Sequence, residues 1–254
     1  MPELLKTLLV VCPLIFLGGF VDSVAGGGGL ITLPAYMMAG VPVHFAAGTN
    51  KVVAGCGAAT ASLKFFRSGK IRLYAALCAA AGALAGGYTG AEIAKLLSEG
   101  LLKRLMLIAL PAVALFLAVK KDFGQETAHK PHPRPYELAV SLAIGLLIGC
   151  YDGMVGPGTG TFMIMAFTAL LGMDMVTASG CAKVGNLASN AAAAASFIIG
   201  GKVLWTLVLP AAACSMLGNW CGARYAIRGG GKKIRGMIFV VLGMLFAKLL
   251  YDLL

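Results

Sequence analysis

Gly19–Gly29, GFVDSVAGGGG, is the stretch that decides the fold, because the chain contains two versions of it. The second version is GCYDGMVGPGTG at Gly149–Gly160, and Asp22 corresponds to Asp152 at an offset of 130 residues. In both versions the aspartate precedes a glycine-rich run and then a short apolar segment. An internal copy of the motif indicates a duplicated unit rather than a cleaved leader at the N-terminus.

The composition is that of an integral membrane protein. The 254 residues are 59% hydrophobic and 12% charged, with a mean hydropathy of +0.87, whereas soluble domains have about 25% charged residues. This composition excludes a soluble enzyme, a disordered chain and a soluble nucleic-acid-binding protein, in spite of the net charge of +11. We therefore expect the lipid bilayer, and no nucleic acid, as its surroundings. The seven cysteines lack CxxC and metal-type spacing, which predicts buried small side chains.

Two further matches in the same order support the duplication. GTNKV at Gly48–Val52 corresponds to GCAKV at Gly180–Val184, and Gly69–Lys70 corresponds to Gly201–Lys202, both at an offset of 132 residues. Together they predict a tandem duplication of about 120 residues. The predicted units are a first transmembrane repeat at 1–119, an exposed cytoplasmic linker at 120–134 and a second transmembrane repeat at 135–254.

Apolar runs bounded by charged or turn residues predict an all-α integral membrane protein with about 8–10 membrane segments. Two runs, 30–39 and 161–171, have only the length of re-entrant or half-membrane helices, and each follows a glycine-rich run. The others are long enough to cross a hydrocarbon layer of about 30 Å. The ten runs are 4–21, 30–39, 43–66, 71–97, 101–119, 137–154, 161–171, 174–199, 203–227 and 235–253.

The distribution of Lys and Arg decides between parallel and inverted repeats. Lys51, Lys183 and Lys248 lie inside apolar runs, and 18 basic residues remain for the loops. With five crossings per repeat, 13 of these lie on the side of the linker and 5 on the other; with four crossings the division is 10 to 8. The positive-inside rule favours the first arrangement. It predicts inverted repeats, a cytoplasmic linker and both termini outside.

Lys51 and Lys183 lie at corresponding depths, about 12 Å of helix rise into their apolar runs. A charge near the middle of a membrane costs several kcal/mol unless it is paired or solvated, and it marks a functional site by default. We therefore predict an anion site at the two lysines. The alternative is a structural ion pair between each lysine and Asp22 or Asp152, and both interpretations can hold together.

The glycine runs before the two short segments form the second part of the predicted site. Glycine leaves backbone N–H groups free to line an anion nest at a helix N-terminus. Broken helices in matching positions of two repeats indicate the binding site of a transporter, whereas the alternative is close helix packing. The candidate substrate-binding residues are Gly26, Gly27, Gly28 and Gly29 in the first run and Gly156, Gly158, Thr159 and Gly160 in the second.

The polar residues near the lysines complete the candidate site. Asp22 and Asp152 are predicted either to accept a coupling proton or cation or to cap the helices that follow them. The neutral candidates are Thr49, Asn50 and Asn186. Because Asn50 corresponds to Ala182, the two halves of the site are predicted to differ chemically.

Sequence motifs of hydrolases and ATPases are missing from the chain, which has no GxSxG, no HExxH and no Walker A motif. We therefore expect no enzymatic activity, no cofactor and no bound metal. Any transport is expected to follow a secondary mechanism or a passive path rather than to be driven by ATP.

GGFVDSVAGGGGLITLPAYMMAGVPVHFAAGTNKV at Gly18–Val52, followed by the copy that begins GCYDGMVGPGTGTF, resembles the TauE/SafE family, also called toluene sulfonate uptake permeases. The resemblance extends over nearly the whole chain. It implies a bacterial inner-membrane transporter of sulfite or of organosulfonates such as sulfoacetate, driven by the proton gradient. It also implies an anion site at the two glycine runs, with Asn50, Lys51 and Lys183.

The leading hypothesis is a secondary transporter of a small anion, sulfite or an organosulfonate, that works by alternating access at a midplane site between the repeats. One alternative is a cation or metal transporter that uses Asp22 and Asp152, which lack the Cys and His partners of a soft-metal site. A second alternative is a non-transporting membrane scaffold, which has no need of buried lysines. A homo-oligomer and coupling to protons are both compatible with the sequence.

Overall fold

A computed structural model describes residues 2–101, 104–105 and 132–253. The predicted run at 101–119 and the predicted linker at 120–134 therefore lie outside the described residues, except at their ends. Within the described part, eight α-helices have both ends described, residues 99–101 and 104–105 are also helical, and no strand occurs. This confirms the predicted all-α fold.

The helices follow the predicted apolar runs closely. They are α1 Pro2–Ala25, α2 Gly29–Met38, α3 Val43–Arg67, α4 Leu73–Leu96, α5 Arg134–Met154, α6 Thr159–Leu171, α7 Met175–Ile199 and α8 Trp205–Leu253. α8 consists of two helical segments, because Gly230 has φ +65° and ψ −169°, a backbone conformation that is accessible mainly to glycine. The break falls between the two predicted runs 203–227 and 235–253.

The lengths and hydropathies of the helices fit a membrane protein. Among the described residues, three helical segments are long and apolar enough to span a membrane: Thr7–Ala25 of α1, Leu73–Leu96 and Arg134–Met154. The short apolar helices α2 and α6 have 10 and 13 residues, or about 15 and 20 Å of rise. This length is well below the thickness of a hydrocarbon layer, as predicted for half-membrane helices.

Glycines bring α4 close to α5 and α8 close to α1. A Cβ atom placed on Gly86 would lie 2.2 Å from the carbonyl oxygen of Leu146, and one on Gly218 would lie 2.1 Å from that of Phe16. Gly82, Gly90 and Gly222 make equivalent approaches to carbonyl oxygens. Such close approaches of backbone to backbone are typical of small residues at membrane helix interfaces.

α3 and α7 pack against each other and run in opposite directions. A Cβ on Gly48, near the start of α3, would lie 2.1 Å from the carbonyl oxygen of Lys202, which follows α7. A Cβ on Gly180, near the start of α7, would lie 2.0 Å from the carbonyl oxygen of Lys70, which follows α3. Gly48 matches Gly180 and Lys70 matches Lys202 in the sequence. The two contacts are therefore equivalent, with the roles of the first and second halves of the chain reversed.

The glycine turns before α2 and α6 touch each other inside the protein. Gly26 and Gly160 are buried, and a Cβ on Gly26 would lie 2.1 Å from the carbonyl carbon of Gly160. The hydroxyl of Thr161 donates a 2.5 Å hydrogen bond to the carbonyl oxygen of Ala25. The N-termini of the two short helices therefore lie close together between α1, α3, α5 and α7.

Candidate functional site

A cavity lies at the meeting point of the two glycine turns, and most of the predicted site residues line it. Those from the first half of the chain are Asp22, Gly26, Gly28, Gly29, Asn50 and Lys51. Those from the second half are Asp152, Gly156, Thr159, Gly160 and Asn186. The structure therefore brings together the two predicted glycine runs, one lysine, both aspartates and two amides.

Four predicted site residues do not line this cavity: Gly27, Thr49, Gly158 and Lys183. The side chain of Thr49 accepts a 3.0 Å hydrogen bond from the backbone N–H of Leu204, which fixes α3 to the start of α8. Gly158 precedes α6 with φ +81°, so its role is in the turn. Lys183 is completely buried and reaches the site only through its ion pair.

Lys51 of α3 is held by Asp152 of α5. Its Nζ lies 2.9 Å from Oδ1 of Asp152, and the two side chains are 6% and 4% exposed. The same ammonium group also donates to the backbone carbonyl oxygen of Asp152. A buried lysine charge is therefore neutralised at this point by a carboxylate from the other half of the chain.

Lys183 of α7 is held by Asp22 of α1 in the matching arrangement. Its Nζ lies 2.6 Å from Oδ2 of Asp22, and the side chains are 0% and 16% exposed. Each ion pair therefore joins the lysine of one half to the aspartate of the other. The predicted ion pairs are therefore present, and Lys51, Asp152 and Asp22 line the cavity, whereas the anion site at the lysines stays a prediction.

The two aspartates differ in the number of groups that hold them. Asp152 also accepts hydrogen bonds from the hydroxyl of Thr159 at 2.9 Å and the hydroxyl of Ser189 at 2.5 Å. Among the described residues, Asp22 accepts, apart from the bond from Lys183, only a long hydrogen bond from the backbone N–H of Gly28, at 3.4 Å. The chemical asymmetry predicted from Asn50 and Ala182 thus extends to the carboxylates.

Asn50 on α3 and Asn186 on α7 present amide groups to the cavity from opposite halves. Both residues are buried. The Oδ1 atom of Asn50 has no hydrogen-bond partner within the residues that the structure describes, and no hydrogen bond to the side chain of Asn186 occurs in that part of the chain. Because buried polar groups are normally hydrogen-bonded, these amides have unused capacity to bind a polar ligand or water.

The short helices add backbone donors. The first N–H groups of a helix have no partner within it, and the helix dipole places partial positive charge there. Gly29 and Gly160, whose N–H groups lie at such positions, both line the cavity. Neither has an acceptor among the described residues. A helix N-terminus of this kind binds anions.

Ser215 and Asn219 on α8 also line the cavity, although they were not among the candidate residues identified from the sequence. Asn219 donates to the backbone carbonyl oxygen of Ser215 at 2.9 Å and accepts a 2.7 Å hydrogen bond from the hydroxyl of Ser23. The available signal was two polar residues four positions apart in the apolar run at 203–227, which places them on one helix face.

Metal-ligating residues do not gather anywhere in the part of the chain that the structure describes. No group of three or more His, Cys, Asp and Glu side chains is close enough to hold an ion there. The acids nearest the cavity, Asp22 and Asp152, are each bound to a lysine.

Long apolar helices, ion pairs buried between the halves and two helix N-termini inside the protein define a multi-pass membrane protein with an internal polar site. The family model described as "Sulfite exporter TauE/SafE" matches residues 11–249. The chain belongs to this family of membrane transporters. The resemblance noted in the sequence is thereby confirmed.

Curated relatives carry names of the same kind. The chain is 36% identical to "Probable membrane transporter protein ORF9" of Sinorhizobium sp over 93% of this chain and 90% of that protein. It is 34% identical to "Probable membrane transporter protein YfcA" of Escherichia coli (strain K12) over 98% and 95%. It is 35% identical to a "Probable membrane transporter protein" of Haemophilus influenzae over 93% and 92%. No solved structure matches the chain.

Proposed function

We propose that this protein is a secondary transporter of a small anion, sulfite or an organosulfonate, and that the anion binds in the cavity between the two glycine turns. The observation that carries the proposal is the convergence of two helix N-termini and two amides with unused hydrogen-bonding capacity on one cavity. The family description names sulfite, which has the negative charge and several acceptor oxygens that such a site suits.

The anion is bound mainly by neutral donors. Lys51 and Lys183 are balanced by Asp152 and Asp22, so the four charges cancel. Backbone N–H groups at Gly29 and Gly160 supply hydrogen bonds and partial positive charge without a full charge. A site of this kind favours an anion over a cation, because both carboxylates are already occupied by lysines.

The mechanism that we propose is alternating access between two inverted repeats, 1–119 and 135–254, about the cavity. Support comes from α3 and α7, which match in sequence, run in opposite directions and exchange equivalent contacts through Gly48 and Gly180. The two short helices begin at the same cavity from opposite halves. Motion of one half against the other would alter the environment of this cavity without unfolding either repeat.

The proposed orientation in a bacterial inner membrane puts the linker in the cytoplasm and both termini outside. Support comes from the basic residues at the end of α3 and at the starts of α4 and α5. Arg72 forms a 3.1 Å salt bridge with Glu137 at the start of α5, and the guanidinium of Arg134 lies 4.9 Å from the ring centre of Tyr74. These helix ends form one basic end of the bundle, which faces the cytoplasm by the positive-inside rule.

The proposal is tested by binding of anions to purified protein in detergent, measured as thermal stabilisation. The panel contains sulfite, sulfate, thiosulfate, sulfoacetate, taurine, phosphate and chloride, with divalent cations for comparison. A ligand at about 100 times its Kd stabilises the folded state by about 2.7 kcal/mol. We expect this effect from a sulfur oxyanion in the native protein and its loss in the Asn50→Ala/Asn186→Ala double variant.

Thr49→Val is the matched control, because Thr49 precedes Asn50 on α3 but its side chain faces the start of α8 rather than the cavity. It should lower the melting temperature and leave the shift produced by the anion in place. Stabilisation by divalent cations alone, or an anion shift that survives loss of both amides, would refute the proposed site.

A further inference from the structure

The two ion pairs at the cavity are matched in sequence but unequal in structure. We propose that Asp22, and not Asp152, is the carboxylate that binds the coupling proton, and that its protonation leaves the positive charge of Lys183, which reaches the cavity only through Asp22, unbalanced by a carboxylate. This inference rests on the proposed function and specifies how that site is coupled to protons. It predicts that Asp22 gains and loses a proton during transport, whereas the ion pair of Lys51 with Asp152 persists throughout.

Asp152 is held by more hydrogen-bond donors than Asp22. Its two carboxylate oxygens accept hydrogen bonds from Lys51 at 2.9 Å and Ser189 at 2.5 Å. They also lie 2.9 Å from the hydroxyl of Thr159, which shares its one hydrogen with the carbonyl oxygen of Gly156 at 2.6 Å. Its side chain is 4% exposed. Hydrogen bonds donated to a carboxylate favour its ionised form. Protonation of Asp152 would leave these donors in competition for a weaker acceptor.

Asp22 has fewer donors and more contact with the cavity. Its Oδ2 accepts from Lys183 at 2.6 Å, and the one donor to its Oδ1 among the described residues is the N–H of Gly28, at 3.4 Å. Its side chain is 16% exposed, about four times as much as that of Asp152. A proton that enters the cavity therefore has Oδ1 of Asp22 as its acceptor, an oxygen with only one long hydrogen bond among the described residues.

The sequence explains this inequality residue by residue. Thr159 corresponds to Gly29 at the offset of 130, and Ser189 corresponds to Gly57 at the offset of 132. Glycine has no hydroxyl, so neither counterpart can donate a side-chain hydrogen bond to Asp22. The duplicated motif keeps the aspartate and the lysine in both halves but keeps the two supporting hydroxyls in only one.

Within the described ranges, no charged side chain other than Lys183 of α7 contacts Asp22 from the helices packed around it. α3 contributes Lys51, which is occupied by Asp152. α2 and the turn before it present glycine backbone, and α8 presents the neutral Ser215 and Asn219. The charge state of Asp22 therefore depends chiefly on Lys183 and on what occupies the cavity.

Charge balance links the proton to the anion. With both aspartates ionised and both lysines protonated, the four groups sum to zero. A proton on Oδ1 of Asp22 leaves the ammonium of Lys183 unbalanced and raises the sum by one unit. A monovalent anion in the cavity restores neutrality, so each species favours the entry of the other. When the anion leaves, Lys183 again favours the ionised carboxylate, and the proton leaves with it.

The test compares Asp22→Asn with Asp152→Asn in liposomes that contain the purified protein. The probes are sulfite and methanesulfonate, the second because its single charge does not change between about pH 6 and about pH 8. Two rates are measured: accumulation driven by a proton gradient, and exchange of internal for external anion without a gradient. We expect the native protein to accumulate anion and to exchange it faster at the lower pH.

Asp22→Asn carries a permanent neutral group in place of the protonated carboxyl. We expect its gradient-driven accumulation to fall at least about tenfold and its remaining exchange to lose its dependence on pH. Asp152→Asn should retain the pH dependence of whatever transport remains. Ser189→Ala, which removes one donor from Asp152 without a change of charge, provides a second comparison if Asp152→Asn does not fold, and it should keep proton-driven accumulation.

The outcomes separate the inference from the proposed function. Proton-driven accumulation by Asp22→Asn, or loss of pH dependence in Asp152→Asn or Ser189→Ala instead, would overturn the assignment of Asp22 while leaving anion transport intact. The assignment of Asp22 would also be overturned if transport by the native protein did not depend on the proton gradient. Failure of the native protein to carry either anion would overturn the proposed function itself, and the inference with it.

Discussion

The backbone of Gly26 lies so close to that of Gly160 that a Cβ atom on Gly26 would be 2.1 Å from the carbonyl carbon of Gly160. In protein structures a Cβ atom essentially never lies within 3.0 Å of a non-bonded heavy atom. The two turns must therefore separate to admit even a methyl group. The N-termini of α2 and α6 therefore depend on a contact that only glycine permits.

Gly26→Ala should strongly destabilise the protein and abolish anion binding, because it adds backbone strain at φ +76° and a clash between the turns. Gly40→Ala is the matched control, since Gly40 has φ +77° and a Cβ atom on it would meet no atom of the described residues within 4 Å. Gly40→Ala should lower the free energy of unfolding only by the conformational strain of alanine at positive φ, about 1–2 kcal/mol. Thermal unfolding and anion binding in detergent measure both effects, and equal losses in the two variants would argue against the turn contact.

Removal of one partner from the Lys51–Asp152 pair should cost about 3–5 kcal/mol, because it leaves an unpaired buried charge. Lys51→Met/Asp152→Leu, which removes both charges, should be more stable than the less stable of the two single variants. The double-mutant cycle in detergent measures the coupling directly. Additive losses would show that the two charges do not depend on each other.

Gly86→Ala should force α4 and α5 apart, because the added Cβ would lie 2.2 Å from the carbonyl oxygen of Leu146. The expected cost is about 1–3 kcal/mol, the range of overpacked interfaces. Gly55→Ala on α3 is the matched control. Its nearest neighbour would be Cβ of Asn190 at 3.7 Å, so alanine should be neutral or stabilise the helix by up to about 1 kcal/mol. Melting temperatures that fall equally in both variants would contradict this account.

Asp174 caps α7 by accepting hydrogen bonds from the backbone N–H groups of Val176 and Thr177, at 3.1 and 3.0 Å. Partial burial opposes ionisation of Asp174, but hydrogen bonds from Thr177 and Val176 and the nearby charge of Lys70 outweigh it and lower its pKa. Asp174→Ala should therefore cost about 1 kcal/mol at neutral pH.

The sign of the pH effect follows from that lowered pKa. The ionised cap stabilises the fold at every pH above about 4, and this contribution is lost as the pH falls below that value. The stability difference between the native protein and Asp174→Ala should therefore shrink in acid. The difference between Asp174→Asn and Asp174→Ala should stay constant, because the asparagine cap does not titrate there. A difference between native protein and Asp174→Ala that grows in acid would rule out the proposed ionised cap.

Much of the fold could be predicted from the sequence because hydrophobic runs and glycine breaks act locally. The short helices α2 and α6 begin at or next to the ends of the predicted glycine runs, and the break in α8 falls in the polar segment between two apolar runs. The candidate pairing of Lys51 and Lys183 with aspartates was also foreseeable, since charges buried in an apolar chain need opposite charges.

The partners themselves depended on the packing of distant helices. The sequence left open whether Lys51 pairs with Asp22 of its own half or with Asp152, and only the folded structure, in which Lys51 Nζ lies 2.9 Å from Oδ1 of Asp152, decides this. Ser215 and Asn219 were missed for a similar reason. Polar residues in an apolar helix have many uses, and their approach to the cavity depends on how α8 packs against α1 and α3.

The crosswise ion pairs have a consequence for the origin of such a chain. A single half carries one aspartate and one lysine at these positions, and in this arrangement neither can satisfy the other. Two copies of one half, facing each other in opposite orientations, would satisfy all four groups with one short gene. Fusion of the copies would then free each half to diverge. Hydroxyl groups that donate to Asp152 but not to Asp22 are a difference that two identical subunits in a symmetric dimer could not have.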